Sequence, residues 1–385
     1  MIRIVKSDGT RLKIRKNGAL YIARLFNSIY KTIVSLFKNR VIADAGTFEA
    51  EKYLENKLEM FTQTLFSNAS YVISPNGYKT SKIYALKPEN GNGDLDITRN
   101  TTATRINEYG VRELVPANRV RIDYSNGKPC FLIEPQRTNL VYPSNIATTQ
   151  VRTVTAVQHT LSFYGTGTVT LSGAFSGSLV GTGANNRVSL TFTPTAGNLT
   201  LTVSGSVTDW QLEAGSNATS LIPTVTGSVT RNNDSATKDK IIDLIGQTEG
   251  SIYVEFDRTT ETAGTKHLLT IYGDGLTTNS LFLTTTNNTN KSIACQIRVN
   301  SVVYLINTFA VKEGLNKVMV TYTNSEFTLF LNGFKIRTLA IPSFPSIYNL
   351  RLLQYNNSRA YGRGYFTALW KTKLSDADAT KLTAL

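Results

Sequence analysis

The first 70 residues combine two different patterns of apolar and polar positions. In residues 1–16, apolar and cationic residues alternate on both sides of Asp8-Gly9. This alternation predicts a β-hairpin, because glycine accepts the positive φ angle that a tight turn requires. Residues 19–40 instead place apolar side chains at spacings of three and four, which predicts an amphipathic helix.

A second helix is predicted after Gly46, with Thr47 as its N-cap residue. Its apolar residues follow a four-three-four spacing: Leu54, Leu58, Phe61 and Leu65. Such a short seam fits two helices packed on each other as well as a bundle formed between copies of the chain, and both arrangements stay open.

Beyond about residue 70, short strand patterns replace the helical period. Turns or linkers are predicted at 74–77 and 88–93, where Pro, Asn and Gly cluster. The strand patterns are those at 151–157, 160–164, 169–171, 188–192, 199–203, 251–256, 268–271, 281–284, 292–299, 302–306, 317–322, 326–331 and 334–339. Short strands with regular turns predict antiparallel sandwiches or jelly rolls.

Three domains follow from these patterns. Residues 1–70 form a basic hairpin and helical region for anchoring and oligomerisation, 71–235 a jelly-roll β-sandwich, and 236–385 a second β-sandwich. The polar run at 230–235 marks the boundary between the sandwiches. Near the end, Ser375 and Asp378 predict the capping box of a short helix. The expected fold class is mainly β, with a small helical anchor before two antiparallel β-sandwiches.

Charge is concentrated at the start of the chain. Of the net charge of +14, residues 1–40 carry +9, from ten cations and one anion. A localised cationic end predicts attachment to an acidic partner. The candidate anchoring residues are Arg3, Lys6, Arg11, Lys13, Arg15, Lys16, Ile22, Phe26 and Ile29.

Three acidic partners fit this segment: a protein shell, a membrane surface and nucleic acid. A hairpin in front of the helix argues against a membrane-surface helix. Nucleic acid favours more interleaved, exposed arginines. We therefore expect a protein shell, with no nucleic acid and no membrane as partner. No apolar run matches a signal peptide or a membrane span.

Little in the sequence predicts catalysis. Cys130 and Cys295 are far apart, and His159 and His267 show no metal-ligand spacing, so we expect no cofactor and no metal. We expect the histidines to be surface or hydrogen-bonded core residues. No nucleophile elbow and no phosphate-binding glycine loop is present.

The last 150 residues resemble the laminin-G/concanavalin A-like family. The resemblance rests on LNKVMVTYTNSEFTLFLNGFKIRT, in which a strand ends in Asn332-Gly333, and on YGRGYFTALWKTKLSDADATKL. It implies a β-sandwich whose final strand carries a buried aromatic residue. Some glycosidases of concanavalin-like fold carry Glu-x-Asp-x-Glu on one strand. Here Glu255 and Asp257 have that parity but Glu261 comes late, so we expect a solvated strand end and no enzyme.

The middle region is similar to a module of fibre and spike proteins in tailed phages, including crAss-like phages. The matching runs are RNTTATRINEYGVRELVPANRVRIDYSNGKPCFLIEPQRTNLV and WQLEAGSNATSLIPTVTGSVTRNND. The second run also resembles the closing strand of carbohydrate-binding jelly rolls. The resemblance implies an oligomeric virion protein, with a trimer as the common state.

These resemblances imply a head fibre on the capsid surface, assembled in the host bacterial cytoplasm. Its partners would be the major capsid protein or other virion proteins, further copies of itself, and host or mucosal glycans. A tail fibre, a purely architectural protein and a glycosidase remain as alternatives. Aromatic and polar residues in two segments form the candidate glycan site: Tyr272, Asp274, Tyr355, Asn356, Asn357, Arg359 and Tyr361. A calcium ion near Asp274 is a further alternative.

Overall fold

The computed structural model describes residues 3–5, 11–13, 64–258, 265–287, 291–308, 311–355, 358–359 and 362–385. Strands β1 (Arg3–Val5) and β2 (Arg11–Lys13) pair antiparallel, with Ile4 opposite Leu12. This register confirms the predicted hairpin. The predicted helix over 19–40 lies outside the described residues, as do six of the candidate anchoring residues: Lys6, Arg15, Lys16, Ile22, Phe26 and Ile29.

The next segment contains helix α1 (Thr64–Ser67) and seven strands. These are β3 (Tyr71–Lys79), β4 (Lys82–Lys87), β5 (Leu95–Thr98), β6 (Ala103–Ile106), β7 (Arg112–Val115), β8 (Arg121–Asp123) and β9 (Cys130–Ile133). The predicted turn at 74–77 is wrong, because these residues lie inside β3. The pairing of β3 with β4 shifts register between Ile73 and Tyr78, so an irregularity within the ladder takes up the Pro-Asn-Gly run.

Residues 137–231 form a small β-sandwich. Its strands are β10 (Arg137–Asn139), β11 (Gln150–Val154), β12 (His159–Gly165), β13 (Thr168–Gly173), β14 (Gly177–Val180), β15 (Gly183–Phe192), β16 (Gly197–Ser204), β17 (Val207–Ala214) and β18 (Val229–Arg231). One sheet has the order β11-β16-β13-β14 and the other β15-β12-β17. Side chains such as Leu171, Leu201 and Trp210 fill the space between them. Trp210 is a fully buried core residue.

The remaining strands belong to one large sheet or to a short hairpin. They are β19 (Ser235–Lys238), β20 (Gly250–Arg258), β21 (Thr265–Tyr272), β22 (Ser280–Asn287), β23 (Lys291–Val299), β24 (Val302–Thr308), β25 (Gly314–Tyr322), β26 (Glu326–Leu331), β27 (Phe334–Ala340), β28 (Asn349–Leu352), β29 (Gln354–Tyr355), β30 (Ser358–Arg359) and β31 (Gly362–Trp370). The large sheet has the order β24-β23-β22-β21-β28-β19-β5-β4-β3-β31-β20-β25-β26-β27, with β9 also paired to β31 and β8 paired to β9.

This sheet folds over on itself to enclose the main core. One continuous apolar cluster contains Leu283 of β22 and Val320 of β25, which lie far apart in the strand order. A second cluster covers the opposite face of β20 and β31, where Phe66 of α1 packs edge-on against Tyr253 and Phe366. The described chain is thus mainly β and built from antiparallel sandwiches, as predicted.

Both described helices are short. Helix α2 (Asp376–Thr383) begins at the predicted cap, where Ser375 Oγ accepts a hydrogen bond of 3.1 Å from the backbone N–H of Asp378. Among the residues that the structure describes, no helix has the length and apolarity needed to cross a membrane.

The strand pairing crosses the predicted boundary at residue 235. Strand β3 pairs with β31, and β5 pairs with β19, so that Val72 lies opposite Ala368 and Ile97 opposite Ala236. Residues 137–231 are therefore an insertion between two parts of one large sheet. The sequence pattern could not show this, because strand patterns do not specify which distant strands are partners.

A buried ionic network lies where the small sandwich leaves the large sheet. Asp234 bonds to Arg99 at 2.8 Å and to Arg121, and Glu134 bonds to Arg121 at 2.5 Å and to Arg231 at 2.7 Å. All five side chains are at most 1% exposed. The polar run at 230–235, predicted as a boundary, thus supplies two buried ion-pair partners.

Arginine neighbours determine the charge state of Glu134. Burial by itself raises the pKa of Glu134, but Arg231 and Arg121 hold that pKa well below its usual range. Hydrogen bonds from the backbone N–H and Oγ of Ser220, at 2.8 and 2.6 Å, act in the same direction. Glu134 therefore stays ionised at neutral pH.

Candidate functional site

Two of the predicted glycan-binding residues, Tyr272 and Asp274, lie at the end of β21 and in the loop that follows it. Between them, Gly273 passes close to a neighbouring loop, since a Cβ atom there would lie 2.3 Å from the backbone oxygen of Ser346. The Tyr-Gly-Asp sequence therefore fits this position, because glycine permits the close approach of the two backbones.

Strand β28 brings further polar side chains beside Tyr272. In the antiparallel register, Tyr272 lies opposite Asn349, and Thr270 lies opposite Arg351. The intervening Leu350 belongs to the buried core. Because successive side chains in a strand point to opposite faces, Asn349 and Arg351 share the outer face with Tyr272.

These residues form a compact cluster. Arg351 Nη2 donates a hydrogen bond of 2.8 Å to the hydroxyl of Tyr272, and its guanidinium carbon lies 4.8 Å from the ring centroid. The hydroxyl of Tyr348 donates to Asp274 Oδ1. The bond to Asp274, followed by partial burial, raises the pKa of Tyr348. We call Tyr272, Asp274, Tyr348 and Arg351 the tyrosine–arginine patch.

The patch combines the groups that hold sugars in proteins. Aromatic rings offer apolar faces, Arg351 offers N–H donors and Asp274 offers a carboxylate acceptor. Within the described part of the chain, no carboxylate forms an ion pair with Arg351. Its remaining donors are therefore available to a ligand on the outer face of the sheet.

The structure describes only part of the second predicted segment. Residues Tyr355 and Arg359 lie in the β29–β30 hairpin, where Tyr355 pairs with Ser358. This hairpin begins after the end of β28 that lies farther from Asn349. The distance along the strand from Asn349 to the hairpin is roughly 15 Å. The side chains of Tyr355 and Arg359, and the whole of Asn356, Asn357 and Tyr361, lie outside what the structure describes.

The patch residues Tyr348 and Arg351 were missed by the sequence analysis. Neither lies in a motif, and both reach Tyr272 and Asp274 through the pairing of strands that are about 80 residues apart. The signal in the sequence that could have indicated Arg351 is an isolated arginine at an outward position of a short strand, next to two leucines of the core.

The carboxylates that suggested a glycosidase lie in β20. The parity prediction is right, since β20 pairs with β25 from Gly250 to Arg258 without a register shift, which places Glu255 and Asp257 on one face. On that face, Tyr253 Oη donates a 2.8 Å hydrogen bond to Glu255 Oε1. The expectation of a solvated strand end is wrong for Glu255, which is 1% exposed because the second apolar cluster covers that face. Asp257 accepts hydrogen bonds from Asn126 and Tyr365. Glu261 lies outside the described residues.

The two histidines lie in different surroundings. His159 is 1% exposed, and its Nδ1 lies 2.8 Å from the carbonyl oxygen of Val157, which confirms a hydrogen-bonded core residue. His267 packs edge-on against Phe282, with ring centroids 5.4 Å apart. Burial lowers the pKa of His267 to about 4. Over the described ranges, no group of three or more His, Cys, Asp or Glu side chains is arranged to hold a metal ion.

No protein-family model matches the chain, and no curated protein matches it. Among solved structures, it is similar to the CBM40 module of the Ruminococcus gnavus IT-sialidase bound to α2,3-sialyllactose. The identity is 22%, the coverage 36% of this chain and 84% of that chain, and the TM-score 0.31.

Two further structures show similarities of the same size. The leech intramolecular trans-sialidase is 20% identical, with 36% of this chain and 24% of that chain covered and a TM-score of 0.32. The SAP-like pentraxin of Limulus polyphemus is 9% identical, with 36% and 70% covered and a TM-score of 0.30. The chain thus spans about a quarter of the leech enzyme.

Proposed function

We propose that this protein binds glycans through the tyrosine–arginine patch, without catalysing a reaction. The observation that carries the proposal is the position of Arg351, which lies over the ring of Tyr272 and has no carboxylate partner in the described part of the chain. An aromatic face beside free N–H donors and a carboxylate suits a sugar ring and its hydroxyl groups.

Glycan binding by the patch is tested on an array of bacterial-surface and mucosal glycans. The full chain is compared with Tyr272→Ala and Arg351→Ala. We expect each substitution to weaken binding at least about tenfold, because each removes a stacking face or a set of donors. The matched control is Tyr109→Ala, which removes a tyrosine that is 70% exposed and remote in sequence from the patch. Equal loss in the control contradicts the proposal.

For the place of action, we propose the surface of a phage capsid. The N-terminal segment supports this proposal through its net charge of +9, which suits an acidic protein shell. In this arrangement the basic end attaches to capsid proteins, copies of the chain associate as a trimer, and the sandwiches extend outward as a head fibre.

Particle incorporation tests the capsid proposal. Deletion of residues 1–40 is expected to abolish incorporation of the chain into virions, whereas Tyr272→Ala leaves it unchanged. Full incorporation of the deleted chain contradicts the anchoring role. A chain found only at the tail, by cryo-electron microscopy of purified virions, supports a tail fibre in place of a head fibre.

A further inference from the structure

A cavity lies at the junction of the two sandwiches and shares no residue with the tyrosine–arginine patch. It is enclosed by hairpin β6–β7, strands β8, β9 and β31, and strands β12 and β15 of the small sandwich. Its volume is about 190 Å³. Sites for drug-sized ligands measure roughly 300–1,000 Å³ and a water fills roughly 30 Å³, so this cavity suits a small ligand such as one sugar residue.

Four arginines line the cavity: Arg105, Arg112, Arg187 and Arg363. Three of them have carboxylate partners. Arg105 bonds to Glu113 at 2.5 Å, Arg112 to Asp209 at 2.7 Å, and Arg363 lies 3.7 Å from Asp123. These pairs hold three guanidinium groups in fixed positions around the cavity.

Arg187 is different from the other three. Its Nη1 donates a 2.6 Å hydrogen bond to the carbonyl oxygen of Thr219, and its Nη2 donates a 2.8 Å bond to Ser162 Oγ. Its Nε is buried and has no hydrogen-bond partner among the described residues, and no described carboxylate forms an ion pair with it. Nη1 and Nη2 each carry a second N–H group, and these are the donors that an anion in the cavity would meet.

The buried ionic network behind the cavity is positively charged, as Arg187 is. Glu134 lines the cavity, but it is already bound by Arg121 and Arg231. The buried ionic network contains three arginines and two carboxylates, so it contributes a net charge of +1. An anion in the cavity therefore meets a positive potential from both Arg187 and the network.

The remaining walls favour an organic anion over an inorganic one. Leu132, Leu221 and the ring of Tyr164 provide apolar surface, whereas the hydroxyl groups of Ser125 and Ser220 already donate to Asp123 and Glu134. A free phosphate ion would leave the apolar walls in contact with water. A carboxylated sugar would cover them with its ring.

We infer that this cavity binds a single carboxylated sugar residue, with Arg187 as the partner of the carboxylate. A guanidinium group matches a carboxylate in planar geometry, and hydrogen bonds between charged groups are stronger than neutral ones. The ligand class is therefore that of the uronic acids, whether free or at the end of a glycan.

Calorimetric titration of the full chain tests the inference, with D-glucuronate, D-glucose and inorganic phosphate as probes. We expect D-glucuronate to bind and the two others to bind at least about tenfold more weakly. Arg187→Gln should weaken D-glucuronate binding at least about tenfold, because it removes the charge. Arg337→Gln makes the same change at an exposed position of β27 and should leave binding unchanged.

Any one of three results would overturn the inference. The first is that D-glucuronate does not bind, and the second is that phosphate or glucose binds as tightly as D-glucuronate. The third is that Arg187→Gln binds D-glucuronate like the unaltered chain. If Arg187→Gln does not fold, Arg187→Lys replaces it, since lysine keeps the charge but not the planar pair of donors. Weaker D-glucuronate binding by Arg187→Lys supports the role of Arg187, and unchanged binding refutes it. The patch variants leave this cavity intact. A failure of the cavity proposal can therefore be distinguished from a failure of the proposal that the tyrosine–arginine patch binds glycans.

Discussion

Arg99 and Asp234 are 135 residues apart in sequence, and their side chains form a fully buried ion pair of 2.8 Å. Arg99 also donates hydrogen bonds to the backbone oxygens of Thr101, Pro116 and Arg119, at 2.9, 2.7 and 3.0 Å. Asp234 precedes β19, the strand that returns the chain to the large sheet. The pair therefore fixes the point where the inserted sandwich ends.

Replacing Asp234 by Asn should destabilise the protein strongly. The substitution leaves Arg99 and Arg121 buried with one carboxylate fewer, and breaking a buried ion pair in this way costs about 3–5 kcal/mol. Urea denaturation followed by circular dichroism measures the change. Asp96→Asn is the matched control, because its pair with Lys82 is about half exposed and should contribute at most about 1 kcal/mol. Similar losses in both variants would contradict the importance of burial.

Features of the fold that depend on neighbouring residues could be predicted from the sequence. Contacts between residues far apart in the sequence could not. Asn332-Gly333, the cap at Ser375 and the alternation of β20 depend on neighbours within a few residues, and the structure has them where they were predicted. Arg231 and Asp234 were interpreted as a polar boundary instead. Their burial depends on partners about 100 residues away, which no local pattern encodes.

Stability should fall as the pH decreases from about 6.5 to about 4 because of His267. Its pKa is about 4 in the folded protein and 6.5 as the ordinary value, so in this range the unfolded chain binds a proton that the folded chain does not. The loss per pH unit is at most about 1.4 kcal/mol.

A His267→Gln variant isolates this effect from other titrating groups. Unfolding free energies of both proteins are measured by urea denaturation at pH 4.5 and at pH 7. We expect the unaltered protein to lose more stability than the variant between these two values. Equal losses would mean that His267 is protonated as easily in the folded protein as in the unfolded chain.

Gly333 should tolerate a side chain poorly. Its φ angle of +87° lies in the left-handed region, which costs other residues roughly 1–2 kcal/mol. Gly333→Ala is therefore expected to lower the free energy of unfolding by about that amount. Gly227→Ala is the control, because nothing lies within 4 Å of an added Cβ there and its φ angle is outside that region. If both variants are equally stable, the turn is not strained by alanine.

The two cysteines should be free and unreactive in the folded protein. Cys130 and Cys295 are fully buried thiols in different apolar clusters, and burial raises the pKa of both. We expect a thiol reagent such as DTNB to modify neither in native protein and both after unfolding in urea. Rapid native labelling, or absence of two thiols after unfolding, would contradict this arrangement.

The tyrosine–arginine patch could be predicted in part from the sequence. The composition of the loop after β21 indicated Tyr272 and Asp274, since aromatic and acidic residues beside glycine are typical of sugar-binding loops. Arg351 could not be found in this way, because its proximity to Tyr272 results from the register of β21 and β28.

A structure of the full chain with the glycan that binds most strongly on the array tests the central proposal most directly. We predict that a sugar ring lies on the exposed face of Tyr272, with hydroxyl groups bonded to Arg351 and Asp274. A glycan bound only elsewhere on the protein, with the tyrosine–arginine patch vacant, would contradict the proposal.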